Sequence, residues 1–317
     1  MSQVSTIDTN KLTDYLEQQI EGFSGPISLE KFPGGQSNPT FKLIASSGTY
    51  VLRRQPPGKL LKSAHAVDRE YRVLNALTES EVPVAKVYHL CEDVDVIGSM
   101  FYVMEFCDGP IYWNAALKEI DSNERRAAIY DEMNKTLVAL HSVDVDAVGL
   151  GDYGRKEAYY ERQLSRWTKQ YRASELEPIP AMDELIKWLE INMPEDDGRA
   201  TLVHGDYRLD NMMFTKDSDK IIAVLDWELS TLGHPFADLA YQCMQLRMPQ
   251  GVGSIDGLQG IDRASLGIPS EEEYVAKYCQ RMGIEKIDYW SFYLAFSFFR
   301  LGAIIQGVAK RASQGNA

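Results

Sequence analysis

The sequence predicts an α+β protein in two parts, a small antiparallel β-rich region at 1–107 and a larger, mostly helical region at 108–317. Three observations carry that reading. Short apolar runs separated by Gly, Pro and Ser fill the first part; helical periodicity dominates the second; and one compact β patch, at 201–226, interrupts the helices.

Leu12, Tyr15, Leu16 and Ile20 recur at three-to-four spacing and stop at Gly22, which marks an opening helix. Ile27–Phe32, Thr40–Ala45 and Thr49–Arg54 are strand-like runs, punctuated by Pro33-Gly34-Gly35 and Ser46-Ser47-Gly48. A helix is expected over about 65–77, with Val67, Tyr71, Leu74 and Leu77 facing inward, and strands near Val84–Leu90 and Met100–Phe106. The texture changes at Cys107-Asp108-Gly109. Helices are expected over 122–142, 155–172 and 181–191, and again from the β patch onward.

The composition, 44% hydrophobic and 25% charged, is that of a globular chain. A formal charge of −13 argues against nucleic acid as a partner, because a phosphate backbone needs a basic footprint. The opening residues MSQVSTIDTN show no secretory signal pattern. Tyr289–Ile305 is the most apolar stretch, but it carries Ser291, Ser297, Arg300 and Gly302, so a buried helix is expected there and not a membrane span. Cys91, Cys107, Cys243 and Cys279 are widely spaced; they predict reduced thiols in a cytoplasmic protein, with neither a disulfide framework nor a zinc site.

Within the β patch, His204-Gly205-Asp206 follows an apolar run, Asn211 comes five residues after Asp206, and Asp226 ends the strand-like run Ile221–Leu225. Two carboxylates and an amide are hard oxygen donors, suited to Mg²⁺ and not to zinc. Phosphoryl transfer needs that set: one carboxylate to orient and deprotonate a hydroxyl, an Asn and a second carboxylate to hold Mg²⁺ against the phosphates. The Asp-x-x-x-x-Asn spacing with a downstream metal aspartate is the protein-kinase catalytic-loop layout. A hydrogen-bonded turn beside an unrelated strand-end aspartate is the bland alternative.

"VHGDYRLDN" and "VLDWELSTLGHPFADLAY" resemble the catalytic and metal-binding segments of the aminoglycoside phosphotransferase/choline kinase superfamily, which has the two-lobed protein-kinase-like fold. From "GGQSNPTFKL" through "YVLRRQPPGKLLKSAHAVDREYRVL", the similarity is greatest to the kinase-like domain associated with acyl-CoA dehydrogenases. The resemblance implies a nucleotide-binding lobe at 1–107 and a catalytic and substrate lobe at 108–317. It makes Asp206 the catalytic base, Asn211 and Asp226 the Mg²⁺ ligands, and His204 and Asp238 the braces of the loop; Arg208, inside the loop, is grouped with the catalytic residues. Glu228 is either a ligand of a second metal or a surface residue. Gly34, Gly35, Gln36, Ser37 and Asn38 occupy the place of a phosphate-covering loop, although GxGxxG is absent.

The cation for the α/β-phosphates, usually lysine, is here Arg53 or Arg54. Strand alternation puts Val51 and Arg53 on one face, which selects Arg53, with Glu70 as its ion-pair partner. Met104-Glu105-Phe106-Cys107 takes the place of the hinge that reads adenine through its backbone. The implied activity is an ATP- and Mg²⁺-dependent phosphotransferase acting on a small-molecule hydroxyl. A hydroxyacyl-CoA is the favoured acceptor, with Arg208, Arg247, Arg300 and Lys310-Arg311 offered for its phosphates and an association with acyl-CoA metabolism. The alternatives are an aminoglycoside or other small-alcohol kinase, a nucleotide-binding pseudokinase, and a metal-dependent hydrolase using His204, Asp206 and Asp226.

Overall fold

A computed structural model describes residues 7–33, 38–56, 65–251 and 256–315. The described chain divides into two compact units, one of 1–110 with 213–228, the other of 111–212 with 229–317.

In the first unit, helix α1 (Thr9–Gln19) is capped by Asp8, whose carboxylate accepts from the N–H groups of Asn10 and Lys11. The strands are β1 (Ile27–Lys31), β2 (Thr40–Ala45), β3 (Gly48–Arg54), β4 (Val87–Cys91) and β5 (Phe101–Glu105). They form one antiparallel sheet in the order β1-β2-β3-β5-β4. Leu12, Leu16 and Ile20 of α1 pack with Leu43, Leu52, Phe101 and Val103 of the sheet, so the predicted apolar stripe finds its partner. Helix α2 (Val67–Leu77) lies between β3 and β4 in the chain and buries Val67, Glu70, Val73, Leu74 and Leu77. A buried glutamate on that apolar face calls for a partner, and β3 supplies it.

The 213–228 segment, placed in the helical part by the sequence reading, groups with the first unit. Its strands β7 (Met212–Phe214) and β8 (Ile221–Val224) pair with each other. The Phe214 N–H donates to the Pro110 carbonyl at 2.9 Å and the Val224 N–H to that of Pro83 at 2.8 Å. A Cβ on Gly109 would stand 1.9 Å from the Phe214 carbonyl oxygen, so the close approach requires glycine.

The second unit contains α3 (Asn123–His141), α4 (Tyr159–Ser174), α5 (Pro180–Ile191), α6 (Phe236–Arg247), α7 (Glu271–Met282) and α8 (Trp290–Ser313). A two-stranded antiparallel ladder, β6 (Thr201–Val203) with β9 (Thr231–Gly233), holds the central loop. Helix α6 is buried on every side from Phe236 to Leu246. Helix α8 is long and apolar enough to cross a membrane, yet it packs on α4, α5 and α6 with Phe292, Phe296, Phe299 and Arg300 buried. Its composition is that of a core helix carrying one interior cation. All four cysteines are free thiols.

Candidate active site

In the second unit, β6 delivers the chain into His204-Gly205-Asp206, and this loop is tied down from three helices. Gly205 has φ +87°, and a Cβ there would lie 2.7 Å from the Leu229 carbonyl oxygen, so only glycine fits. Asp238, in the first turn of α6, accepts from the His204 N–H at 2.7 Å through Oδ2 and from the Gly205 N–H at 2.8 Å through Oδ1. His141 of α3 sits 3.5 Å from Oδ2 through Nε2, and its Nδ1 meets the Tyr278 hydroxyl of α7 at 2.8 Å. Burial alone would raise the Asp238 carboxyl; the His141 hydrogen bond and the loop N–H groups outweigh it and hold the group below the usual carboxylate range.

The Gly205 carbonyl accepts from the Arg300 guanidinium of α8. That guanidinium lies over two rings, 5.5 Å from Trp167 of α4 and 5.2 Å from Tyr241 of α6. Burial first and the negative charge of Asp206 second push the Tyr241 phenol's pKa up.

Asp206 is also held from its own loop. Asn211 Nδ2 donates to the Asp206 carbonyl and to its Oδ2, both at 2.9 Å. Arg208 Nε stands 3.2 Å from Oδ1 and its Nη2 3.0 Å from Asp210. The Asp206 N–H donates to His204 Nδ1 at 3.2 Å, and the His204 ring is fully buried. His204 therefore serves as an internal brace, a poor position for a metal ligand. No group of three His, Cys, Asp or Glu side chains fit to hold a metal occurs among the described residues.

In the first unit, Arg53 bridges two acids. Its Nε is 2.8 Å from Glu70 Oε2 and its Nη2 donates to Asp226 Oδ1 at 3.0 Å. Burial pushes the Glu70 carboxyl up to about 7, against the pull of Arg53. Burial opposes the Arg53 charge too, but Glu70 and then Asp226 outweigh it and raise that pKa. Asp226 leaves β8 with φ +61°, a left-handed conformation uncommon for a residue with a side chain. Glu228, whose charge acts on both Arg53 and Glu70, lies in the short turn Trp227–Leu229.

Arg54 departs from the expected one-sided strand: it is buried as well, on the opposite face, with Nε donating to Ser99 Oγ at 2.9 Å. Asn38 is buried, its Oδ1 without a hydrogen-bond partner among the described residues, while Gly34, Gly35, Gln36 and Ser37 lie outside them. Glu105 accepts from the Lys86 N–H through its side chain at 3.2 Å, and burial pushes the Cys107 thiol up to about 11.

Four of the cations offered for acceptor phosphates are engaged inside the second unit. Arg300 grips Gly205, Arg247 forms a two-pronged pair with Glu271 at 2.6 and 2.7 Å, Lys310 donates to the Ala173 carbonyl at 2.6 Å, and Arg208 faces Asp206 and Asp210. Arg300 is buried, and Arg247 and Arg208 are neutralised by carboxylates, so the assignment to acceptor phosphates is withdrawn for these three. Tyr241 and His141 went unremarked in the sequence. Tyr241 was within reach, because it follows Asp238 by three residues and so shares its helix face.

The second unit thus fixes a carboxylate beside an amide, and the first a carboxylate beside a cation. Asn211 spends its NH₂ on Asp206, which leaves Oδ1 as the hard donor; Asp226 has an oxygen besides the one Arg53 holds. Both suit a magnesium-sized cation.

The chain is 48% identical over 309 residues to mouse acyl-CoA dehydrogenase family member 10, covering 96% of this chain and 29% of that protein. The chain spans between 29% and 40% of the lengths of such relatives. A Ralstonia eutropha crystal structure, described under a provisional aminoglycoside phosphotransferase name, superposes with a TM-score of 0.90 at 50% identity, covering 98% of this chain and 92% of that one. Spectinomycin phosphotransferase, solved with ADP and spectinomycin, shares the fold at a TM-score of 0.64 and 14% identity, covering 98% of this chain and 90% of that one. The fold is accordingly the two-lobed protein-kinase-like α+β fold, a small antiparallel sheet lobe with a helical lobe. The phosphotransferase enzyme family matches residues 28–274, and the chain belongs to it.

Proposed function

We propose that this protein moves the γ-phosphate of ATP to a hydroxyl of a small molecule, with a hydroxyacyl-CoA thioester as the acceptor. The observation that carries the reading is Asp206, a carboxylate presented by a loop whose 204–205 backbone is fixed on both its donor and acceptor sides. Asp206 orients the acceptor hydroxyl and takes its proton as the oxygen attacks phosphorus. Asn211 and Arg208 keep the carboxylate in one rotamer. Asn211 and Asp226 would hold Mg²⁺, which when bound neutralises charge on the phosphates. Arg53, oriented by Glu70, is the cation for the α/β-phosphates; its planar fork is no geometric copy of lysine. Asn38, with the 34–37 segment, supplies the phosphate cover, and Glu105 to Cys107 the adenine contact.

Support for the acceptor class comes from the names of relatives, which are acyl-CoA dehydrogenase family members. Four free thiols accord with a cytoplasmic setting.

Transfer from γ-labelled ATP with Mg²⁺ tests the reading, using hydroxyacyl-CoAs, aminoglycosides, choline and sugars as acceptors. We expect label on the hydroxyacyl-CoA and a loss of about 10²-fold or more in Asp206→Ala. Label on an aminoglycoside alone would replace the acceptor. ATP binding with no transfer to any acceptor would favour the pseudokinase.

A further inference from the structure

We infer that the exposed face of α4 is an anion-docking site for the nucleotide phosphates of the acceptor. The inference rests on the CoA-thioester reading above and locates the charged end of that substrate.

Arg162, Arg166 and Lys169 stand at i, i+4 and i+7 along α4, so they share one face. With Glu161 and Ser165 they line an open depression of about 610 Å³. The opposite face of the helix buries Tyr160, Leu164, Trp167 and Tyr171, which fixes the outward direction of the cations. Residues 155–172 carry six cationic and two anionic side chains in a chain whose net charge is −13. A merely solvated helix face mixes signs and pairs them. Here the flanking cations do pair, Lys156 with Asp146 and Arg172 with Asp183, whereas Arg162, Arg166 and Lys169 form no ion pair among the described residues. Arg162 donates to the carbonyls of Arg155 and Glu157, contacts that steady the guanidinium without neutralising it.

Position supports the assignment as well. Trp167, next to Arg166 on the helix, carries the Arg300 guanidinium, which holds the carbonyl of Gly205, the residue before Asp206. Contacts between side chains thus join α4 to the loop that carries Asp206. A CoA thioester separates its reacting hydroxyl from its diphosphate and ribose phosphate by a long flexible arm. The anchor for those phosphates must therefore lie apart from Asp206 yet on the same rigid body. At 1.5 Å per residue the three cations span about 10 Å of helix, enough to meet more than one phosphate group.

The test compares a hydroxyacyl-CoA with the same acyl group on N-acetylcysteamine, which lacks every phosphate. It uses the full chain and the double variant Arg166→Glu, Lys169→Glu, with coenzyme A binding measured by calorimetry in parallel. The ratio of kcat/KM for the CoA thioester over the short thioester should fall by about ten-fold or more, and coenzyme A affinity should fall with it. Rising salt should erode the same ratio in the unaltered chain. An unchanged ratio, with the CoA thioester still phosphorylated, overturns the docking site and leaves the acceptor reading standing. If neither thioester is phosphorylated but coenzyme A binds and the variant loses it, the site stands and the acceptor reading fails. Binding to anionic lipid vesicles that the variant abolishes, with coenzyme A affinity unchanged, overturns the site in favour of a membrane surface. Arg166→Lys, which keeps the charge, should retain most of the ratio.

Discussion

Asp238 shows how one buried charge can order a reaction centre it never touches. Both of its oxygens are taken by loop N–H groups and His141 stands behind, so its carboxylate state is built into the folded loop. Asn in its place offers one acceptor where two are needed and turns an NH₂ toward a buried donor. Asp238→Asn should therefore cost about 2 kcal/mol at neutral pH, measured by urea unfolding. The folded-state pKa lies below the ordinary carboxylate value, so this contribution is complete above the unfolded pKa and is lost as pH falls through the folded one. The gap between the two proteins should accordingly narrow in acid. A gap that stays constant down to pH 3 would show that the carboxylate charge is immaterial.

At the scale of elements, the β6–β9 ladder depends on how closely α4 can approach it. A Cβ on Gly233 would stand 2.3 Å from the Tyr159 ring, and Tyr159 is buried at the start of α4. Gly233→Ala should displace that ring and destabilise the protein by about 1–3 kcal/mol, read from the denaturant midpoint. Elements were legible where one face meets solvent. The stripe of α1 was readable for that reason, as were the β2 and β3 runs. Helix α4 was expected from 155 but begins at Tyr159, because Ala158 takes a left-handed conformation and gives its N–H to Asp196, a partner 38 residues on. Helix α6 is buried all round, so it has no amphipathic pattern to betray its role. The polar residues of the candidate site were legible because their types and spacing carry chemistry that a core does not need. Which cations were already engaged was not, since Arg247, Arg300 and Lys310 reveal their partners only in three dimensions.

For the molecule as a whole, Asn211 belongs to the helical unit and Asp226 to the sheet unit. Nothing in the sequence marked 213–228 for the first unit; the backbone bonds to Pro83 and Pro110 decide it. A ligand that binds only the folded state raises stability by about 2.7 kcal/mol at a hundred times its Kd. Mg²⁺-ATP should therefore raise the melting temperature by a few degrees in the unaltered chain and in Asp206→Ala, but not in Asp226→Ala. Equal loss of the shift in both variants would mean that the two aspartates do not divide the work as proposed.

The grip of Arg300 on Gly205 has a consequence in time. The two residues are 95 positions apart, so the ribosome makes the loop well before it makes the side chain that holds it. At roughly 5–20 residues per second, a nascent chain waits on the order of 5–20 s with that carbonyl untended. A chain stalled before residue 300 would therefore carry the 204–206 loop without the contact that fixes its carbonyl.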